Sequence, residues 1–197
     1  AKLLQTEERL CPYVDMPIQH IHPRILSLME RPGPESIKKA IEFLRNGVRD
    51  IAIRTTLMVG FPTESQGEFE DLYKFVEEVK FRYMGVFVYS PEKGTRAERI
   101  KPRVKVGLAK RRRNELLRLQ KAISLQINRK LIGHEIMTLI EGPHPETDLL
   151  LVGRASFMAP EIDGQIIINK GYANIGQIVK VRITEAYEYD LVGEIVE

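Results

Sequence analysis

The feature that most constrains this chain is the length of the connections between its first three β-like segments. Tyr13 to Ile18, Ile51 to Val59 and Tyr83 to Tyr89 are short and rich in apolar or β-branched residues, and more than 20 residues separate each from the next. Antiparallel partners can close through a hairpin, whereas crossovers this long require parallel strands with helices packed outside them. The intervening patterns supply those helices. Pro23 opens a short one with Ile25, Leu26, Leu28 and Met29 on its apolar face, and Arg31-Pro32-Gly33-Pro34 breaks it. Pro34 suits the first turn of the next helix, where its missing N–H costs nothing. Ile37, Ala40, Ile41 and Leu44 then recur at three- and four-residue spacing up to Asn46-Gly47, which reads as a left-handed cap. Ser65-Gln66-Gly67-Glu68 has capping-box form, with Phe69, Leu72, Tyr73, Phe75, Val76 and Val79 as the stripe behind it. Three parallel strands with such helices fit half of a barrel-like α/β sheet.

The pattern changes twice further on. Residues 90–107 hold Gly94, Pro102 and many charges, as an exposed connection would. A long helix is expected from Leu108 to Leu131, with Leu108, Leu116, Leu119, Ile123 and Ile127 on one side and Lys110 to Arg113 near its start. Positive charge there opposes the helix dipole, so the cluster reads either as a solvated basic face or as a partner surface. From Gly133 onward the period is two. Strands are expected at 134–141, 149–155, 165–169, 177–184 and 190–196, separated by Gly142-Pro143, Ala159-Pro160, Asp163-Gly164 and Gly171. Five short strands so punctuated suit a small closed barrel of the OB type. The expected organisation is an α/β domain over 1–107, a connecting basic helix over 108–132 and an all-β barrel over 133–197.

Charge follows the same divisions. Lys+Arg against Asp+Glu number 15 and 15 in residues 1–99, 9 and 1 in 100–121, and 6 and 11 in 122–197. The balances are 0, +8 and −5, so the net +3 of the whole chain conceals an acidic tail. No run of about 18 apolar residues exists to cross a membrane. A single cysteine, Cys11, excludes a disulfide framework and a thiolate metal site supplied by this chain alone, as expected of a reducing, cytoplasmic compartment. The sequence begins at Ala1 and is at once within patterned structure, as a piece of a longer chain would be.

Ligands of parallel α/β sheets sit beyond the carboxyl ends of the strands. Three places qualify: Gln19-His20, Gly60-Phe61-Pro62-Thr63-Glu64, and Tyr89-Ser90. A glycine at a strand end admits close approach to the backbone, and Gln19 and His20 offer donors and acceptors for ribose hydroxyls or a substrate. Arg54 lies within the second strand and must point outward or pair with a carboxylate, either of the protein or of a ligand. His20 and His22 also suit structural roles, Gly60-Phe61-Pro62 also suits a plain turn, and Asp15 suits a general base or a hydrogen-bonding core residue. No nucleophile–base arrangement, phosphate loop or metal-spaced cluster stands out, so no residue is assigned to catalysis or to a metal.

Pro12 to His20, Ile53 to Pro62 and Phe87 to Thr95 strongly resemble the radical S-adenosylmethionine methylthiotransferases. The tail, with Val152-Gly153-Arg154, Ala159 to Gly164 and Glu188 to Gly193, is similar to that family's OB-like TRAM domain. The resemblance is collinear over essentially the whole chain. It implies an S-adenosylmethionine site made by Gln19, His20, Arg54, Gly60, Phe61, Pro62, Glu64 and Tyr89, with Arg54 near the cofactor carboxylate. Thr63 departs from the glycine often found in that loop. Asp15 with Pro17 to His20 resembles the branch that methylthiolates an aspartate β-carbon of the small-subunit ribosomal protein S12. A tail balance of −5 suits docking of that basic protein through the TRAM domain and disfavours transfer RNA. The alternatives are a methylthiotransferase acting on a transfer-RNA adenosine, supported by the basic helix, and a non-enzymatic OB module that binds RNA or the ribosome. The family holds two [4Fe-4S] clusters on cysteine triplets, and the single Cys11 cannot hold one. The resemblance therefore implies that the cluster ligands lie upstream of Ala1 and that this chain alone is inactive.

Overall fold

The computed structural model describes residues 2–7 and 9–196. They form two compact units, one built on Val14–Gln120 with residues 2–7, the other on residues 121–196 with 9–13. In chain order the elements begin with α1 (Lys2–Thr6), β1 (Tyr13–Asp15), α2 (Pro23–Leu28), α3 (Pro34–Gly47) and β2 (Ala52–Val59). Next come α4 (Gln66–Val79), β3 (Tyr83–Val88), α5 (Arg96–Arg99) and α6 (Val106–Arg129), whose residues are divided between the units. The barrel strands are β4 (Glu135–His144), β5 (Thr147–Ala155), β6 (Ile166–Lys170), β7 (Ile178–Ala186) and β8 (Leu191–Ile195). The mixed α/β class read from the sequence, with its parallel sheet and small closed barrel, is the observed one.

In the first unit the strand order is β1-β2-β3, and β2 and β3 run parallel with Arg54 opposite Tyr83 and Val59 opposite Val88. The alternation in β2 assigns the two faces: Ile53, Thr55, Leu57 and Val59 are buried, whereas Arg54, Thr56 and Met58 are only half-buried. The core combines those buried strand residues with Ile25 and Leu26 of α2, Ile37 and Ile41 of α3, and Phe69, Leu72 and Val76 of α4. β1 is shorter than expected, ending at Asp15; beyond it only Gln19 pairs again, in a parallel bridge to Leu57.

The helix ends divide between expectation and correction. Ser65 and Glu68 do form a reciprocal capping box at the start of α4. Asn46-Gly47, expected to cap α3 in the left-handed region, does not; Gly47 closes the helix and the following Val48 is extended. The chain makes its left-handed residue later, at Asp50 with φ 54°.

The barrel closes in the order β4-β5-β6-β8-β7. β6 and β8 are parallel and all other pairs antiparallel. Ile140, Ile166, Ile168, Val181, Ile183 and Leu191 fill it. Gly142-Pro143, read as a break, instead lies within β4, where the register to β5 shifts around Gly142 and the hairpin closes at His144 and Thr147. A bulge tolerates the proline that a regular ladder would exclude. Among the described residues no helix is long and apolar enough to cross a membrane.

One charged contact stabilises the first unit. Arg24 donates from Nε to Glu68 Oε1 at 2.6 Å and from Nη2 to Oε2 at 2.8 Å. The Arg24 guanidinium, aided by Ser65, holds the Glu68 carboxyl down to about 2 against the opposing effect of burial. A carboxylate depressed in the folded state contributes stability above its unfolded value and loses it as pH falls. With Arg24 about half exposed, solvent screening limits that contribution to about 1–2 kcal/mol at neutral pH. Stability against urea is expected to hold above pH 4.5, the ordinary carboxyl value, and to decline from there toward 2. In Glu68→Gln neutral-pH stability falls by about 1–2 kcal/mol and the acid-side decline shrinks by the same amount, as urea titrations across pH will read.

Candidate functional site

A cavity of about 370 Å³ opens in the first unit, where β2 and β3 reach their carboxyl ends. That is within the range of small-molecule sites. One wall holds Gln19, Met58, Phe61 and Tyr89; the end of α2 adds Leu28 to Arg31, and the segment after β3 adds Ser90, Glu92, Thr95, Arg96 and Ala97. Glu30 accepts an ion-paired hydrogen bond from Arg96 at this edge. Parallel strands bring these sequence-distant residues together because all their carboxyl ends point one way.

Gln19 takes a left-handed conformation, φ 67°, while its N–H donates to the Thr56 carbonyl and its carbonyl accepts from Met58 N–H, at 2.9 and 2.8 Å. That bridge locks its backbone to β2 and leaves its amide side chain for the cavity. Phe61 and Tyr89 meet edge to face, with ring centroids 5.3 Å apart. The Tyr89 hydroxyl is buried and has no hydrogen-bond partner among the described residues, a cost of about 1–3 kcal/mol unless something else satisfies it.

The other sequence-derived candidates do not line the cavity. His20 is fully buried, its Nδ1 accepting from His22 N–H at 3.0 Å. Glu64 is 4% exposed, and its carboxylate turns back to accept from Gly60 N–H, so that amide is already engaged within the protein. Pro62 is buried beside Phe61. Arg54 lies on the half-buried face of β2 with Nε 3.4 Å from Asp15 Oδ2.

Thr63, the departure from glycine, has φ 69°. A β-branched residue there is strained, by about 1–3 kcal/mol. Arg24 holds it in place, donating to the Thr63 hydroxyl and carbonyl, both at 2.9 Å.

Sequence reasoning missed Met58, the α2 end, the Thr95–Ala97 stretch and, above all, Arg112. The basic cluster on α6 is not uniformly solvated: Lys110 and Arg111 are exposed, but Arg112 is 2% exposed. Arg112 Nη1 donates to the Glu64 carbonyl at 3.2 Å and lies 3.3 Å from Glu64 Oε2, and its guanidinium stands over the Phe69 ring. The signal was present in the helical period. Ala109, Arg112, Leu116, Gln120 and Ile123 share the buried stripe, and Arg112 falls in phase with Leu116 and Ile123.

Two kinds of similarity bear on these residues. Residues 132–196 match the TRAM domain family. The whole chain is 45% identical over 197 residues to the ribosomal protein uS12 methylthiotransferase RimO of Syntrophotalea carbinolica, covering 43% of that protein. The corresponding proteins of Syntrophobacter fumaroxidans and Geobacter sulfurreducens are 42% and 44% identical over 194 residues, 98% of this chain and 44% and 43% of theirs. The chain is similar to these methylthiotransferases along its whole length. It spans less than half the length of the curated relatives it matches.

The cofactors that the resemblance implies differ in how they suit the donors present. An aromatic and thioether wall, the Gln19 amide and a buried tyrosine hydroxyl lacking a partner fit a nucleoside-bearing ligand such as S-adenosylmethionine. The clusters do not fit this chain: among the described residues no three His, Cys, Asp or Glu side chains converge on a metal position, and Cys11 is exposed.

The tightest contact at the site generates a prediction. Gly60 has φ 73°, and a Cβ built there would lie 2.4 Å from Ala109 Cβ. Gly60→Ala is expected to cost about 2–4 kcal/mol in urea unfolding. Adding Ala109→Gly should return the steric part and leave the backbone part of about 1 kcal/mol or more.

Proposed function

We propose that this chain is the portion of a ribosomal-protein methylthiotransferase that carries one wall of the S-adenosylmethionine pocket together with the substrate-docking TRAM barrel. The observation that carries this reading is similarity to uS12 methylthiotransferases over the full 197 residues, because one collinear stretch then includes both the cavity wall and the barrel. The substrate is a basic small-subunit ribosomal protein of the uS12 type, modified at the β-carbon of an aspartate. S-adenosylmethionine, when bound, would supply the radical chemistry of the reaction.

Within the chain, Phe61 and Tyr89 form a rigid aromatic edge for the cofactor and exclude water from it. Gln19, its backbone fixed by β2, offers the ribose hydroxyls both a donor and an acceptor. Tyr89 gives its unmatched hydroxyl to a polar atom of the ligand. Arg54, paired with Asp15 on the sheet face, stands outside this wall. The −5 balance of residues 122–197 favours a basic protein partner over RNA.

Mass spectrometry of ribosomal proteins and of transfer-RNA nucleosides, with and without the gene, tests the assignment. Loss of the methylthio group from a uS12 aspartate, with the nucleosides unchanged, is expected. Loss of a methylthioadenosine instead would assign the chain to the transfer-RNA branch. At the pocket, Tyr89→Phe should weaken S-adenosylmethionine binding about 5- to 10-fold by calorimetry, the value of one buried hydrogen bond. Unchanged affinity would remove Tyr89 from the site.

A further inference from the structure

One buried ionic group on α6 has no part in that reading. Arg112 does not line the cavity, yet it contacts the loop that carries Phe61 of its wall. The Glu64 carboxylate accepts from the Gly60 N–H and sits 3.3 Å from Arg112 Nη1. The same nitrogen donates to the Glu64 carbonyl, and Nη2 donates to the Gln66 side chain at 3.3 Å. Ala109, one turn earlier on the same helix face, closes against Gly60. Phe61 follows directly, and its ring packs on Tyr89. A buried carboxylate holds one arrangement only while its charge is matched, and a guanidinium alone can serve two acceptors and an amide with one planar fork.

His20 completes the enclosure. Its Nδ1 accepts from His22 N–H, which assigns the ring proton to Nε2. That nitrogen faces Glu64 Oε1 at 3.6 Å, and neither atom has a hydrogen-bond partner among the described residues. The Glu64 carboxylate is therefore flanked by a histidine and an arginine, and it accepts from one backbone group, the Gly60 amide.

We propose that Arg112 is a positioning residue of the cofactor pocket: through the Glu64 carboxylate it fixes the Gly60 amide and so the Phe61 wall. The cofactor identity rests on the function proposed above; the positioning does not. Arg112 differs in this from Lys110 and Arg111, which carry the same charge on the same helix but are exposed.

Two measurements on the 197-residue chain test it. In amide hydrogen exchange read by NMR, Arg112→Met and Glu64→Gln should each accelerate exchange at Gly60 about tenfold, as loss of a charged hydrogen bond implies. Arg112→Lys should give an intermediate value, and the exposed control Arg111→Met none. Because both act through one link, the double variant should be no faster than either single variant. It also removes both buried charges together, which keeps a folded form available if a single variant fails to fold. Acceleration spread evenly over the unit, or none at Gly60, overturns the proposal. In calorimetry with S-adenosylhomocysteine, Arg112→Met should weaken binding about tenfold, and Glu64→Gln should add nothing to it. Unchanged affinity in folded Arg112→Met also overturns the proposal. If the unsubstituted chain binds no such nucleoside, the cofactor reading falls, and the exchange result alone decides the positioning.

Discussion

The carboxylate of Glu64 is buried within the first unit, and the end of β2 depends on how its charge is met. It accepts from Gly60 N–H, lies 3.3 Å from Arg112, and faces the Nε2 of a fully buried His20. Removing one member of such a group leaves an uncompensated charge, typically a loss of about 3–5 kcal/mol. The next residue back, Thr63, is held separately by Arg24, which also binds Glu68 at the start of α4. Two arginines from two helices thus clamp five residues of loop, Gly60 to Glu64. The strain at Thr63 persists because its surroundings over-determine it.

That clamp matters because of where the sheet delivers the loop. β2 and β3 run parallel, so Val59 and Val88 finish side by side and the chain leaves both strands at the same end. Phe61 and Tyr89 are brought edge to face by this topology alone, 28 positions apart in sequence. Polar backbone groups at the same end are largely spent internally: Gln19 on both Thr56 and Met58, Gly60 on Glu64. The polar groups left facing the cavity are therefore chiefly side chains, the Gln19 amide and the Tyr89 hydroxyl among them.

Much of the architecture was legible. The long crossovers required parallel strands, the capping box at Ser65 formed as written, and the period of two after Gly133 became a closed five-stranded barrel. Local punctuation was less dependable. Asn46-Gly47 did not cap α3 in the left-handed region and Gly142-Pro143 did not end β4, because tertiary pairing overrode a two-residue preference in each case. Of the candidate site residues, Gln19, Phe61 and Tyr89 line the cavity, whereas His20, Gly60, Pro62 and Glu64 are the layer behind it and Arg54 lies along the sheet face. Sequence position places all of them except Arg54 just past the strand ends, but it does not say which way a side chain turns.

The sequence by itself determined the order of elements, the parallel sense of the sheet and the barrel, since these follow from periodicity and connection length, and its collinear motifs carried the resemblance to methylthiotransferases. Only the tertiary structure decided which charges are buried. Arg111 and Arg112 are neighbours of one kind in one basic run, yet a helical rotation of about 100° per residue puts one in solvent and the other on Glu64. Composition counts both as positive charge. The packed helix makes one of them part of the site's foundation, because desolvation turns an ordinary cation into one that must have its partner.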